Sequence, residues 1–548
     1  RLANGDSVAS QEMIAGGRYL SGDDPLRVFA VVPPGRHRLE VLWRSGARSV
    51  LEEVRANRLY EIHEPEAKAK PPGTPAPMPM FEDVSSRLGH RHEQAPVDDF
   101  VNGPLLPRRT SQAGPGVAWL DTDRDGWEDL AIVGDGGLQL FGNTAGRFRR
   151  INDSKAEVPA WGAPFETVER VNGLAKADLD GDGDAELVLA TEWGPVRVFR
   201  NDAGQFTERT DALGLGGYRG WWNGVAMIDA NNDGRLDIVA TNWGRNSFYE
   251  TLLREDDAEP RLALFVGDVD GNGTVEQLEA VRVAGRWLPV RDRHALEKGL
   301  PNLRSRFPVH AEMVKAGIEG IAEPAFGRLK KMEVNHLDTT LFINRGDRFE
   351  PAPLPMEVQL SPAFSVCVGD VDADGNDDLF FSQNFFGVRP EDPRNDAGTG
   401  LWLLGQGDGT FRAIGPGESG VRVDGEQRGA ALADFDHDGR VDLVVTQNAA
   451  ATRLFRNQAQ ARGLRVRFDG GGGGEGAILR LIYTDGTKGP ARVVQSVSGY
   501  RSANATTQVM GAAGEAVAVE AAWPSGKNTT LPLKPGQAEA VLPYPSGP

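Results

Sequence analysis

Short apolar runs broken by polar turns dominate the chain, and most of them come in pairs. GVAWL (116–120) is followed by LAIV (130–133), GVAMI (224–228) by IVAT (238–241), and GAALA (429–433) by LVVT (443–446). Small and β-branched residues in runs this short predict strands, not helices. Further downstream come LFGNTAGRF (140–148), VFRNDAGQF (198–206), LFINRGDRF (341–349), LLGQGDGTF (403–411) and LFRNQAQ (454–460). An apolar strand, Asn/Gly turn residues and then Phe predict a hairpin. Helical patterning is confined to about 291–335, an expected excursion from a β framework.

Each strand pair brackets an acidic loop. The six loops begin at Asp121, Asp178, Asp229, Asp268, Asp370 and Asp434 and share the form D-x-[DN]-x-[DN]-G-x-x-[DE]. Oxygens at positions one, three and five converge on one point, because the glycine at six allows the sharp turn. A backbone carbonyl at seven and a carboxylate at nine complete a shell suited to Ca2+. The expected ligands are Asp121, Asp123, Asp125 and Asp129; Asp178, Asp180, Asp182 and Glu186; Asp229, Asn231, Asp233 and Asp237. The later loops offer Asp268, Asp270, Asn272 and Glu276; Asp370, Asp372, Asp374 and Asp378; Asp434, Asp436, Asp438 and Asp442. In the fourth loop Glu279 stands at position twelve and competes with Glu276 for the role. Strand flanks exclude the helix–loop–helix arrangement. One mostly β unit per few tens of residues predicts a propeller rather than a sandwich.

Charge fits this reading. The net charge is -18, which argues against nucleic acid as a partner. Acidic residues at the loop positions number 22, so six Ca2+ ions would bring the chain to -6. No apolar run approaches the roughly 18 residues that cross a bilayer. The single cysteine, Cys367, lies in AFSVCVGD and is expected in the core. The chain starts at Arg1, so a processed or partial product is expected and a missing leader does not count against secretion.

The repeats resemble FG-GAP/VCBS propeller repeats over roughly 78–458. The stretch SVSGYRSANATTQVMGAAG…AAWPSGKN near the C-terminus resembles the ASPIC/UnbV module, with Gly499, Tyr500 and Ser502 on its Gly-Tyr-x-Ser element and Trp523 to Gly526 on its W-P-S-G. VMGAAG stands where that family shows F-G-L-G. The N-terminus reads as a partial second copy: Tyr19 and Ser21 align with Tyr500 and Ser502, and Trp43 to Gly46 with Trp523 to Gly526. Sequence matching the stretch at about 462–480 is missing from it. The expected organisation is a partial ASPIC/UnbV-like β module at 1–64, a Pro-rich linker at 65–80, the propeller at 81–458 and a C-terminal ASPIC/UnbV-like module at 459–548. The resemblance implies an all-β, calcium-binding propeller with small flanking β domains and one helical insertion. Six loops plus closing strands near MFEDVSSRLG imply seven blades, with six or eight left open.

The resemblance also implies a secreted or cell-surface protein, and the residues themselves show no catalytic constellation. The expected function is adhesion or extracellular structure, with protein or glycan ligands. Head-to-tail self-assembly is conceivable, the end of one molecule supplying the strand missing from the next. A lectin-like alternative rests on Tyr218, Trp221, Trp222, Trp193 and Trp243, which could stack on sugars or simply fill space between blades. A calcium-dependent polysaccharide lyase is weaker, since no motif fixes a base; His90-Arg91-His92 is the one local histidine cluster. Sequons stand at Asn152, Asn504 and Asn528.

Overall fold

The computed structural model describes residues 1–4, 7–13, 26–30, 37–65, 78–94, 97–111, 113–121, 125–134, 137–151, 170–202, 205–253, 262–469, 474–495 and 497–545. They divide into two compact units, Arg1–Met78 and Pro79–Pro548.

Among the described residues of the larger unit, five sheets are built on one plan of four antiparallel strands, an acidic loop joining the first strand to the second. The first blade comprises Gly116–Leu120, Asp129–Gly134, Gly137–Thr144 and Arg147–Arg150, the second Val171–Ala177, Glu186–Pro195, Arg197–Asp202 and Gln205–Glu208. The third comprises Gly224–Ile228, Asp237–Thr241, Thr340–Asn344 and Phe349–Ala352, the fourth Ala363–Gly369, Asp378–Gln383, Leu401–Gly405 and Phe411–Ile414. The fifth has Gln427–Ala433, Asp442–Gln447 and Arg453–Asn457, and its outer strand is Phe81–Asp83 from the start of the unit.

Among the described residues five sheets follow this plan, against the expected seven, for two reasons. The segment MFEDVSSRLG does not make a blade of its own; its strand pairs with Arg453–Asn457 and joins the two ends of the repeat array. The fourth acidic loop lies in a separate sheet, Leu262–Gly267, Glu276–Val283, Arg286–Pro289 and Lys330–Val334, inserted between the second and third strands of the third blade. That insertion also carries the expected helices, Arg293–Glu297, Leu303–Arg306 and His310–Ile321. Met313, Ile318 and Ile321 pack on Phe265 and Leu278 of its sheet.

Blades pack face to face, which is why their second strands are apolar without alternation. Val188, Trp222, Ile238 and Phe342 join the second and third blades, while Val239, Leu341, Val366 and Phe381 join the third and fourth. Phe380, Trp402, Leu432 and Phe455 join the fourth and fifth; Trp119, Leu130, Phe435 and Leu454 join the fifth and first. Cys367 is buried in the fourth blade's inner strand, and burial pushes its thiol well up.

The C-terminal module belongs to the same compact unit. One of its sheets runs Gln508–Met510, Leu464–Phe468 and Glu539–Leu542, the other Arg492–Val493, Ile478–Tyr483, Ala516–Ala522 and Asn528–Pro532. Between them residues 498–505 enter the propeller axis. Ser502 and Ala503 pair in parallel with Val117 and Ala118 of the first blade's inner strand. Gly499 N donates to Val225 O of the third blade at 2.7 Å, and Ala505 N to Leu432 O of the fifth at 2.9 Å. Ala430 N donates to Ser502 Oγ at 3.1 Å, and Tyr500 N to Ser365 Oγ at 3.3 Å. The backbone passes so close that a Cβ on Gly499, at φ +64°, would lie 2.4 Å from Ser365 Oγ and 2.7 Å from Val366 O. The sequon residue Asn504 accepts from Leu432 N at 2.9 Å, whereas Asn528 is exposed and Asn152 falls outside the described residues.

In the smaller unit the strands are ordered Ser7–Ala9, Leu2–Asn4, His37–Leu42 and Arg48–Val54. Its W-R-S-G turn and the W-P-S-G turn of the C-terminal module have the same hydrogen bonds. Trp43 N donates to Ala47 O and Gly46 N to Trp43 O, as Trp523 N does to Lys527 O and Gly526 N to Trp523 O, each at 2.9 Å. Both indoles donate to a hydroxyl six residues on, Trp43 to Ser49 at 2.8 Å and Trp523 to Thr529 at 2.9 Å. Tyr19 and Ser21, the other matched pair, fall outside the described residues, as does most of the Pro-rich linker.

The axial segment generates a prediction. Gly499→Ala combines a steric clash with positive φ and is expected to cost about 2–3 kcal/mol. Ser502→Ala removes one buried acceptor and is expected to cost about 1–2 kcal/mol. Urea denaturation measures both, and a Gly499→Ala variant as stable as the parent would mean that the segment is not seated in the axis.

Candidate metal centres

In all six loops the first-position aspartate accepts from the backbone N–H of the sixth-position glycine. The pairs are Asp121 with Gly126 (3.0 Å), Asp178 with Gly183 (3.0 Å) and Asp229 with Gly234 (2.9 Å). The same bond joins Asp268 to Gly273 (3.0 Å), Asp370 to Gly375 (3.1 Å) and Asp434 to Gly439 (3.0 Å). Each of these glycines has φ between +79° and +98°, a left-handed conformation that costs other residues energy. Fifth-position side chains tighten the loop by accepting from the seventh residue: Asp125 from Trp127 N at 2.8 Å, Asp182 from Asp184 N at 2.9 Å, and Asn272 from Thr274 N at 2.7 Å.

The ninth-position carboxylate holds the loop to its blade. One oxygen takes the N–H of the second loop residue: Glu186 from Leu179 (2.7 Å), Asp237 from Ala230 (3.0 Å), Asp378 from Val371 (2.8 Å) and Asp442 from Phe435 (3.2 Å). The other reaches the end of the blade's third strand. Asp129 accepts from Asn143 N at 2.8 Å, Asp237 from Asn344 N at 2.8 Å, Asp378 from Gly405 N at 2.9 Å and Asp442 from Asn457 N at 2.7 Å.

Four loops bring three carboxylates together with oxygens within 4.8 Å of one another: Asp178, Asp180 and Glu186; Asp268, Asp270 and Glu276; Asp370, Asp372 and Asp374; Asp434, Asp436 and Asp442. The ninth-position Asp378 is buried beside the third of these sets, where the charges of Asp372 and Asp370 act on it. In the third loop Asn231 replaces one acid and its amide donates to Asp233 at 3.0 Å. Asp123 lies outside the described residues. Glu276 accepts from Val269 N at 2.8 Å within its loop, whereas Glu279 faces away and takes Tyr249 Oη at 2.7 Å and Arg291 Nε at 3.2 Å. Some fifth-position acids are also engaged by arginine: Asp182 by Arg200 at 3.0 Å and Asp438 by Arg440 at 2.7 Å.

The electrostatics explain why these loops suit a cation. Burial, reinforced by the neighbouring carboxylates, pushes Glu186 and Asp237 up to about 7. Asp370 rises to about 7 by burial, despite the Arg492 guanidinium beside it. Asp229 and Asp434 rise to about 6, and Asp442 is driven well above the carboxylate range. An oxygen-only donor set with uncompensated buried charge has the chemistry of a hard divalent cation site. The described clusters therefore fit a metal ion.

Sequence reasoning passed over two sets of residues here. The turn asparagines Asn143 and Asn457 do more than shape their hairpins. Asn143 Nδ2 donates to Phe435 O of the fifth blade's loop at 2.9 Å, and Asn457 Nδ2 to Val371 O of the fourth blade's loop at 2.7 Å, so each ties one blade to its neighbour's loop. The C-terminal module supplies the second set. Asp229 accepts from Ala491 N at 2.7 Å, Asp370 from Gly511 N at 2.9 Å, and Asp434 pairs with Arg465 Nε at 2.7 Å. Gly511 belongs to VMGAAG, the stretch that departs from F-G-L-G. Its contact with a loop aspartate was invisible without the fold.

Two other candidate groups are interior. Trp193, Trp221, Trp222 and Trp243 are buried, which removes them as sugar-stacking surfaces, while Tyr218 is partly buried against the same core. His90 and His92 are also buried rather than in an open polar loop. His90 Nδ1 shares a hydrogen bond with Thr452 Oγ1 at 2.8 Å, and His92 Nδ1 accepts from Ala449 N at 3.1 Å, pinning this segment to the fifth blade.

The raised carboxylates set a pH dependence. In the metal-free chain they bind protons more tightly when folded than when unfolded, where they titrate near 4. Their contribution to stability without metal is therefore fully present below about 4 and is lost as pH rises through about 7. A bound divalent cation removes this decline, because it needs the deprotonated ligands. Calorimetric melting of metal-free and calcium-saturated protein across this range checks the sign. A metal-free form that melts higher at alkaline than at acid pH would refute it.

Comparison with known proteins agrees with the geometry. The FG-GAP-like repeat profile matches residues 178–240 and 387–445, and the ASPIC and UnbV profile matches 1–69, the copy at the N-terminus. Cartilage acidic protein 1 of Mus musculus is 23% identical over 517 residues, covering 83% of this chain and 78% of the mouse protein. The Homo sapiens protein of the same name is 23% identical over 500 residues, covering 81% and 74%. A solved structure described as recognition of non-reducing terminal N-acetylglucosamine by an Agrocybe aegerita lectin covers 61% of this chain and 74% of its own, at 16% identity and a TM-score of 0.20. Repeat profile, module profile and relatives agree: the chain carries FG-GAP-like repeats and an ASPIC and UnbV module, and it is similar to cartilage acidic protein 1.

Proposed function

We propose that this is a secreted, non-catalytic protein of adhesion or extracellular structure, and that Ca2+ in its acidic loops fastens the C-terminal module to the propeller. The observation that supports this most directly is the sharing of Asp229, Asp370 and Asp434 between the loops and that module. Asp370 and Asp434 lie in sets of three converging carboxylates, and each takes a donor from the module. A bound cation would keep these carboxylates ionised and oriented, so loop order and module docking become one event. No helix among the described residues is long and apolar enough to cross a membrane, and the resemblance to cartilage acidic protein favours an extracellular setting.

Head-to-tail association through the two W-x-S-G modules is the assembly that this reading favours. In it, loss of the first module leaves the rest of the chain able to fold but unable to propagate contacts.

Limited proteolysis and light scattering test both levels. With calcium the segment 459–545 should resist cleavage, and with chelator it should be cut first. An identical digestion pattern in the two conditions would remove calcium as the fastener. Calcium-dependent assemblies should disappear when residues 1–64 are deleted, and their persistence would rule out the head-to-tail arrangement.

A further inference from the structure

The end of the propeller axis opposite the acidic loops holds a small cavity of about 40 Å³. All five blades meet there, through Ala113 just ahead of the first, Asn172, Asn223, Phe364 and Arg428, and Tyr500 of the axial segment reaches it from below. Tyr500 Oη donates to Ala113 O at 2.9 Å, so the floor is fixed. Above it lie Arg108, Arg109 and Arg170 with Glu192, beside the rings of Trp243, Phe364 and Phe385.

Donors at this cavity outnumber acceptors. Arg108 is 8% exposed; one amino group pairs with Glu192, while its Nη1 is buried without a partner. Trp243 is 3% exposed and its indole Nε1 is likewise buried without a partner, as is Arg109 Nε. No acceptor lining the cavity is left in this condition among the described residues. Glu192 is already engaged, by Arg108 and by Arg170 at 3.7 Å. Buried polar groups are rarely left unpaired, and three orphaned donors around one space call for an acceptor.

Charge narrows its nature. Arg428 is matched by Glu426 at 2.6 Å, Arg109 has Asp98 at 3.9 Å, and Arg108 and Arg170 share Glu192. Asp99 also acts on Arg109, whereas among the described residues Arg108 and Arg170 have only the one carboxylate of Glu192 between them. Arg108 is held in place by its guanidinium, 4.3 Å from the Trp243 ring centroid, and therefore needs little ordering to bind.

We propose that this axial mouth binds a monoanionic oxyanion head group, a carboxylate or a sulfate ester, through Arg108, Trp243, Arg109 and Arg170. The group completes the orphaned donors and gives Arg108 and Arg170 a second anionic partner beside Glu192. The site lies at the far end of the axis from the acidic loops and does not depend on their metal.

Isothermal titration of the full calcium-loaded chain at constant low ionic strength tests this with acetate, methyl sulfate and the neutral acetate isostere acetamide. Saturable one-site binding of acetate or methyl sulfate, with acetamide inert, is expected, and whichever anion binds identifies the head group. Arg170→Gln, at a half-exposed position, should weaken binding about tenfold without changing the melting temperature. Arg108→Gln combined with Glu192→Gln removes the buried pair together, so no unpaired charge remains, and should abolish binding. Arg422→Gln, at an exposed position elsewhere, should leave binding unchanged. Equal binding of acetamide, absence of saturable binding by both anions, or full affinity in a folded Arg108→Gln/Glu192→Gln protein would each overturn the proposal.

Discussion

The structure depends on carboxylates buried beside other carboxylates. Asp237, Asp378 and Asp442 are almost wholly shielded from water, yet each lies close to further acids of its loop. Burial and like charge both oppose ionisation, and backbone N–H groups offset only part of that cost. The same carboxylates stitch the first, second and third strands of a blade together. Whatever neutralises them therefore acts on the blade as a whole, and through Asn143 and Asn457 on the neighbouring blade too.

The C-terminal module uses the same charges. Its backbone and arginines approach the acidic loops, and its 498–505 segment fills the axis where five inner strands converge. Small residues line that axis because the incoming backbone leaves no room for more. A Cβ on Gly173 would lie 2.6 Å from Gly499 O, and one on Gly224 would lie 2.5 Å from Phe364 O. Propeller and module therefore form one compact unit, which their sequences, read separately as domains, do not suggest. The two ends of the axis differ in chemistry: anionic loops meet the module at one, and arginines with unpaired donors gather at the other.

Much of this was legible in the amino-acid sequence, because its signals are local. A D-x-[DN]-x-[DN]-G-x-x-[DE] loop encodes its own turn: the glycine supplies positive φ and the acids supply acceptors for nearby N–H groups. Short β-branched runs encode buried strands, and the paired W-x-S-G turns encode their own hairpins. From such local rules came the all-β propeller, the positions of the acidic loops and the kinship of the two terminal modules.

What spacing could not determine was which strands become neighbours. The fourth loop obeys the same local rule as the others, yet its strands form a separate sheet, because pairing across the insertion joins Asp237–Thr241 to Thr340–Asn344. Phe81–Asp83 has a strand's local pattern but completes a blade whose other strands lie more than three hundred residues away. The burial of the tryptophans, the seating of Gly499 and the convergence of Arg108, Arg170 and Trp243 are likewise long-range. Local chemistry wrote the loops and the turns. Only the packing of the blades decided what lies on their axis, because that space exists only after distant strands have packed.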